Sequence, residues 1–117
     1  MSDELIPLIL FDINQEIADV ESFIIGLGIE QFLSDRKTQK AVAMSLQVLG
    51  ESAGKLPLKF TDKHPSVEWH KIAGLRNRIS HDYAGLDMEL IWQIITIELP
   101  VLKIQLQKIS TNHDSPR

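Results

Sequence analysis

Isoleucine and valine return at steps of three and four from the start of the chain, at Ile6, Ile9, Ile13, Ile17, Val20 and Ile24. At about 100° per residue these steps hold all six on one face of a long helix, whereas a strand, whose side chains alternate, would scatter them over two. Asp3 and Glu4 fall near the positive end of that helix. Gly26 and Gly28 predict its stop, with a short helical turn over 29–33 to follow. A second long helix is expected from Ser34 or Asp35, turning Val42, Ser45, Leu49 and Ala53 inward and closing at Gly54 and Pro57.

The stretch 55–65 holds two prolines and no helical period, which predicts a mobile loop with room for one ordered turn. Ser66 can cap a third helix running to about His81, with Glu68 in its first turn, and Asp87 can cap a fourth. The fourth helix carries two apolar stripes: Leu90, Ile94, Ile97, Val101 and Ile104, and beside them Ile91, Ile95, Leu99, Leu102 and Leu106. An apolar arc that wide needs cover on two sides, from the bundle alone or from the bundle and a second copy, and the second arrangement is the expectation. Pro100 lies within the pattern and should kink or interrupt the helix. With no strand pattern and no internal repeat, the expected fold is all-α: an antiparallel four- to five-helix bundle in one domain over 1–109, with 110–117 a disordered tail.

Composition narrows the function. The sequence has no cysteine, which removes thiolate metal sites and cysteine nucleophiles, and neither a basic leader nor a bilayer-length apolar run, so a cytoplasmic protein without a membrane partner is expected. A net charge of −4 argues against coating DNA or RNA with a broad positive field, and no DNA partner is expected. The charge is unevenly spread: Met1 to Asp35 has eight carboxylates and no lysine or arginine, while Arg36 to Asp82 has nine basic residues against four acidic. His64, His70, His81 and His113 lack the spacing of metal ligands, so no metal or other cofactor is expected.

The segment 74-GLRNRISHDYAG-85 concentrates reactive side chains on the third helix. Trp69, Ile72, Leu75, Ile79 and Tyr83 share one broad face, while His70, Asn77 and His81 fall within about 40° of one another on a different face, beside Gly74. A glycine inside a helix costs about 1 kcal/mol relative to alanine, so Gly74 predicts the close approach of a backbone or a ligand. Arg76 and His81, five positions apart, diverge by about 140° and cannot form one tight pocket on a single helix. Two copies meeting across a twofold axis would bring an arginine and a histidine from each chain to a shared cleft. Such a pair suits RNA cleavage by the ribose 2′-hydroxyl: histidine exchanges protons near neutral pH, and arginine opposes the charge on the phosphorane.

The run Arg76-Asn77-x-x-x-His81-x-Tyr83 resembles the R-x4-H-x-Y signature of HepT-like proteins, the toxins of HEPN/MNT toxin–antitoxin pairs. The segments 49-LGESAG-54, 69-WHKIAGLRNRISHDY-83 and 92-WQIITIELPVLK-103 are similar to further stretches of that family, in the same order. Ser52 stands where the family commonly has alanine. The resemblance implies a homodimeric HEPN-like bundle with metal-independent endoribonuclease activity, Arg76 and His81 matching the catalytic pair. It also implies a type VII-like system in which a minimal nucleotidyltransferase antitoxin neutralises the toxin by AMP transfer to the tyrosine matching Tyr83. Asn77 is then expected to hold phosphate or orient His81, Glu51 to order an arginine of the neighbouring helix, and Arg78, Lys71 and His70 to steer the RNA backbone. The rival reading is a non-catalytic helical module that binds a partner or nucleotide for a nucleotidyltransferase, its basic residues gripping phosphate without cleavage.

Overall fold

A computed structural model describes residues 3–82 and 85–113. After one 3-10 turn over Asp3–Leu5, the order is α1 (Ile6–Ile24), α2 (Ile29–Leu33), α3 (Arg36–Gly54), α4 (Leu58–Thr61), α5 (Trp69–Asp82), α6 (Met88–Gln93), a π-helical stretch (Ile94–Glu98) and α7 (Leu99–His113). No strand occurs among the described residues. The predicted face of α1 is the buried one: Ile6, Ile9, Ile13, Ile17 and Val20 are buried, with Leu10 beside them. Gly26 adopts a φ of 78°, a left-handed conformation that turns the chain after α1 and that a side chain would strain. Asp35 starts α3: its Oδ1 accepts the Thr38 amide at 3.1 Å and its Oδ2 the Thr38 hydroxyl at 2.6 Å. These bonds hold the Asp35 carboxyl below its ordinary pKa.

α3 is the central helix, packed along α1 on one side and α5 on the other. Val42, Leu46 and Leu49 of α3 meet Ile13 and Ile17 of α1, Phe32 of α2 and Leu106 of α7 in one continuous core. Phe32 stacks obliquely on Trp92 with ring centroids 5.1 Å apart, fixing α2 against α6. At the outer edge an ion pair of 3.0 Å joins Lys103 of α7 to Glu21 of α1.

Three local expectations need correction. The connection 55–65 is a pinned one: α4 buries Phe60, whose ring lies 4.7 Å from His64 and 6.0 Å from Trp69, and the Trp69 indole donates to the His64 carbonyl at 3.0 Å. That tether also delays α5, which begins at Trp69 rather than just after Ser66; the Ser66 carbonyl instead accepts a bond from Gln105 of α7. The last helix runs on through His113, into the segment read as a tail, while residues 114–117 lie outside those described.

Pro100 acts as expected, with a specific geometry. Its missing N–H and bulky ring disfavour the regular i to i−4 pattern. The turn before it widens into π-helix, the Leu99 amide bonding back to Ile94 and the Thr96 hydroxyl to the Trp92 carbonyl at 2.7 Å. Asp87 caps α6 as predicted, its Oδ1 accepting from the Glu89 and Leu90 amides at 3.0 and 3.2 Å. Of the two stripes, Ile91, Ile95, Leu99, Leu102 and Leu106 are buried, whereas Ile97, Val101 and Ile104 remain 62%, 53% and 53% exposed.

Candidate active site

Leu75 and Ile79 anchor α5 in the core, with Trp69 and Ile72 packed against its margin, so the opposite face is turned outward. His70, Gly74, Asn77 and His81 are all exposed and form a ridge along that outer face. A hollow on the α3 side and a groove on the α7 side flank the ridge.

The hollow follows from the way α3 supports α5. A Cβ built on Gly50 would stand 2.7 Å from the Arg76 nitrogen and 2.9 Å from the Ile72 carbonyl oxygen, so the two backbones touch where only glycine fits. A Cβ on Gly74 would meet nothing within 4 Å; the close approach predicted at Gly74 occurs at Gly50 instead. Sequence reasoning placed Gly50 only in a family-like segment, although the pair Gly50 and Gly54, one turn apart on α3, is the signal of a helix crossing.

Above this crossing lies a hollow of about 360 Å³, with Glu51 and Lys55 on one wall and Arg76 and Asn77 on the other. Arg76 Nε is 3.6 Å from Glu51 Oε2, the arginine–glutamate relation expected from the sequence. Both side chains are about half exposed (54% each), so the pair adds little to stability; it limits the directions in which the guanidinium points. Lys55, which the sequence gave no reason to single out, joins this group because α5 packs along α3 as far as its C-terminal end, which Lys55 follows directly.

The groove between α5 and α7 gathers His70, Lys71 and Arg78 opposite Ile97 and Val101. Lys71 Nζ makes a 2.8 Å ion pair with Glu98 of the π-helical stretch, and that hydrogen bond and charge raise the Lys71 pKa. His81 borders neither hollow nor groove and makes no hydrogen bond or ion pair among the described residues. Asn77 shares the hollow with Arg76 and makes no bond to His81. The candidates thus separate into three groups: Glu51, Arg76 and Asn77; His70, Lys71 and Arg78; and His81 alone. Tyr83 lies outside the described residues.

A family model described as ribonuclease HepT-like matches residues 13–109. The chain belongs to the HepT-like ribonuclease family. The match spans α1 from Ile13 onward, α3 and the whole ridge of α5, so the all-α HEPN-like bundle described above is this family's fold in this chain. Among curated proteins it is 41% identical to a "Putative RNase" of Methanocaldococcus jannaschii, covering 78% of this chain and 75% of that protein. It is 34% identical to the "Probable ribonuclease HepT" of Thermococcus cleftensis, over 86% of this chain and 91% of that protein. A "Putative RNase" of Caldanaerobacter subterraneus is 37% identical, with 72% of this chain and 75% of that protein covered. No solved structure matches the chain. No described helix is long and apolar enough to cross a membrane.

Proposed function

We propose that this HepT-like chain is the toxin of a HEPN/MNT pair, an endoribonuclease that cuts RNA in a cleft shared by two copies. The observation that carries the reading is the placement of Arg76 and Asn77 in a hollow beside an exposed ridge that bears His81, in a chain of a ribonuclease family. Arg76 offers a permanent charge and a forked set of donors for a phosphodiester. His81, exposed and without a hydrogen bond among the described residues, is the group to exchange a proton.

In the proposed step the ribose 2′-oxygen attacks the adjacent phosphorus, one histidine takes the 2′ proton, and the 5′-oxygen leaves with a proton from a second acid. The phosphorane charge faces the guanidinium, and the products are a 2′,3′-cyclic phosphate and a free 5′-hydroxyl. Neither oxidant nor further cofactor enters the balance.

One chain is insufficient for this step, because Arg76 and His81 point about 140° apart on α5. A second copy supplies the missing group if it docks on the α7 side, where Ile97, Val101 and Ile104 are exposed beside an apolar groove. Gly74, with open space above it, lets another backbone come close to the ridge. The homodimer is therefore part of the proposal.

Neutralisation by a nucleotidyltransferase antitoxin completes it: the Tyr83 hydroxyl attacks the α-phosphorus of ATP, releasing pyrophosphate and leaving AMP on the tyrosine. The added anion, two residues beyond His81, would compete with RNA for the arginine. Incubation of labelled RNA with purified protein in a chelator tests the reading. Cleavage that disappears in His81→Ala is expected, and RNA left intact at every protein concentration would favour the binding-module alternative.

A further inference from the structure

Of the four polar side chains around the hollow between α3 and α5, the active-site reading uses Glu51, Arg76 and Asn77. It leaves Lys55 unexplained. Lys55 is exposed and forms no ion pair among the described residues, although it follows the end of a helix, where a lysine would ordinarily serve the terminal carbonyls. Two of those carbonyls are already occupied: the Lys55 amide bonds to Ser52 at 3.0 Å and the Leu56 amide to Ala53 at 3.2 Å. The ammonium is thus available to a ligand, and the hollow it borders holds a guanidinium and a carboxamide opposite.

Charge and shape identify that ligand. Lys55 and Arg76 outweigh Glu51, whose carboxylate lies against Arg76 Nε, so the hollow carries a net positive charge within an otherwise acidic protein. Its floor at Gly50 has no side chain, because α5 crosses there, and an anionic group can settle between the walls. Two further lysines, Lys59 and Lys63, are exposed on the connection that leaves Lys55. We infer that Lys55 holds a phosphate of the RNA strand next to the scissile one, with Arg76 shared between the two, so that the strand enters the cleft over the α3 end of α5.

This inference rests on the active-site reading, but its test separates the two. The probe is a single-stranded oligoribonucleotide, titrated against the intact protein and its Lys55→Ala, Lys55→Arg, Arg76→Ala and His81→Ala variants over a range of salt. Lys55→Ala is expected to weaken binding by ~3- to 10-fold and to reduce the slope of log affinity against log salt by about 0.7, the release of one counterion from a single strand. Lys55→Arg should restore both, and in cleavage KM should rise by more than kcat falls. Wild-type affinity and salt slope in Lys55→Ala would overturn the subsite, and the active-site reading would stand if Arg76→Ala and His81→Ala were still inactive. Should the wild type leave RNA uncut, the active-site reading fails while the binding titration still decides the role of Lys55.

Discussion

Gly50 of α3 and Arg76 of α5 are in contact through their backbones: a Cβ on the glycine would stand 2.7 Å from the arginine nitrogen. The candidate catalytic arginine is thereby seated on a rigid crossing of two long helices. Gly50→Ala must push α5 outward, because the obstructing atoms are backbone and cannot rotate away. A loss of about 1–3 kcal/mol is expected from such overpacking, read as a lower urea midpoint, together with a fall in RNA cleavage. Gly74→Ala, with open space around it inside α5, should instead stabilise the single chain by about 1 kcal/mol, the helix-propensity gain of alanine over glycine.

Arg76 and His81 are both exposed, so their removal should affect activity far more than folding. His81→Ala is expected to cost about 10²- to 10⁴-fold in kcat, the usual contribution of a positioned proton donor or acceptor. Arg76→Ala should cost about 10²- to 10³-fold, by loss of charge stabilisation. Steady-state cleavage with circular dichroism on the same samples checks this, and a variant that is folded and fully active would remove the residue from the site.

Ile97 and Val101 are 62% and 53% exposed, so charged replacements should disturb the bundle itself by no more than about 0.5 kcal/mol. In the proposed dimer the same replacements bury an unpaired charge between copies. Ile97→Asp and Val101→Asp are expected to sediment as single chains with unchanged helicity. A wild-type protein that is a single chain at all concentrations would contradict the shared cleft.

Glu16 of α1 is half-buried against α3, and that burial raises its pKa from the ordinary 4.5, with Asp19 and Asp12 adding to the effect and a hydrogen bond to Ser45 opposing it. A carboxyl with a raised folded-state pKa stabilises the fold below its unfolded value and loses that contribution as pH rises through the folded value. Stability attributable to Glu16 should therefore fall as pH climbs from about 4.5 through the raised pKa. Glu16→Gln should flatten this part of the pH profile and be the more stable protein at neutral pH, as urea midpoints across pH would reveal.

The sequence was most legible where one helix decides its own limits. The face of α1, the turn at Gly26, the Asp35 cap of α3 and the Asp87 cap of α6 each depend on side chains within a few residues of one another. It was less legible where distant residues intervene. Ser66 has the chemistry of a cap, yet α5 starts at Trp69 because the indole reaches back to His64 and Gln105 takes the Ser66 carbonyl. The motif residues of α5 were visible from spacing, but their partition between hollow and ridge depends on where α3 crosses. Lys55 was invisible for the same reason, since nothing local places the end of α3 beside Arg76.

The most direct test of the shared cleft is complementation between two inactive chains. Arg76→Ala and His81→Ala, each inactive alone, would be co-expressed so that mixed dimers form, and the purified mixture assayed on labelled RNA. If one copy's arginine acts with the other's histidine, the mixture regains a readily measured fraction of wild-type cleavage. A mixture of confirmed dimers no more active than either variant alone would contradict the account.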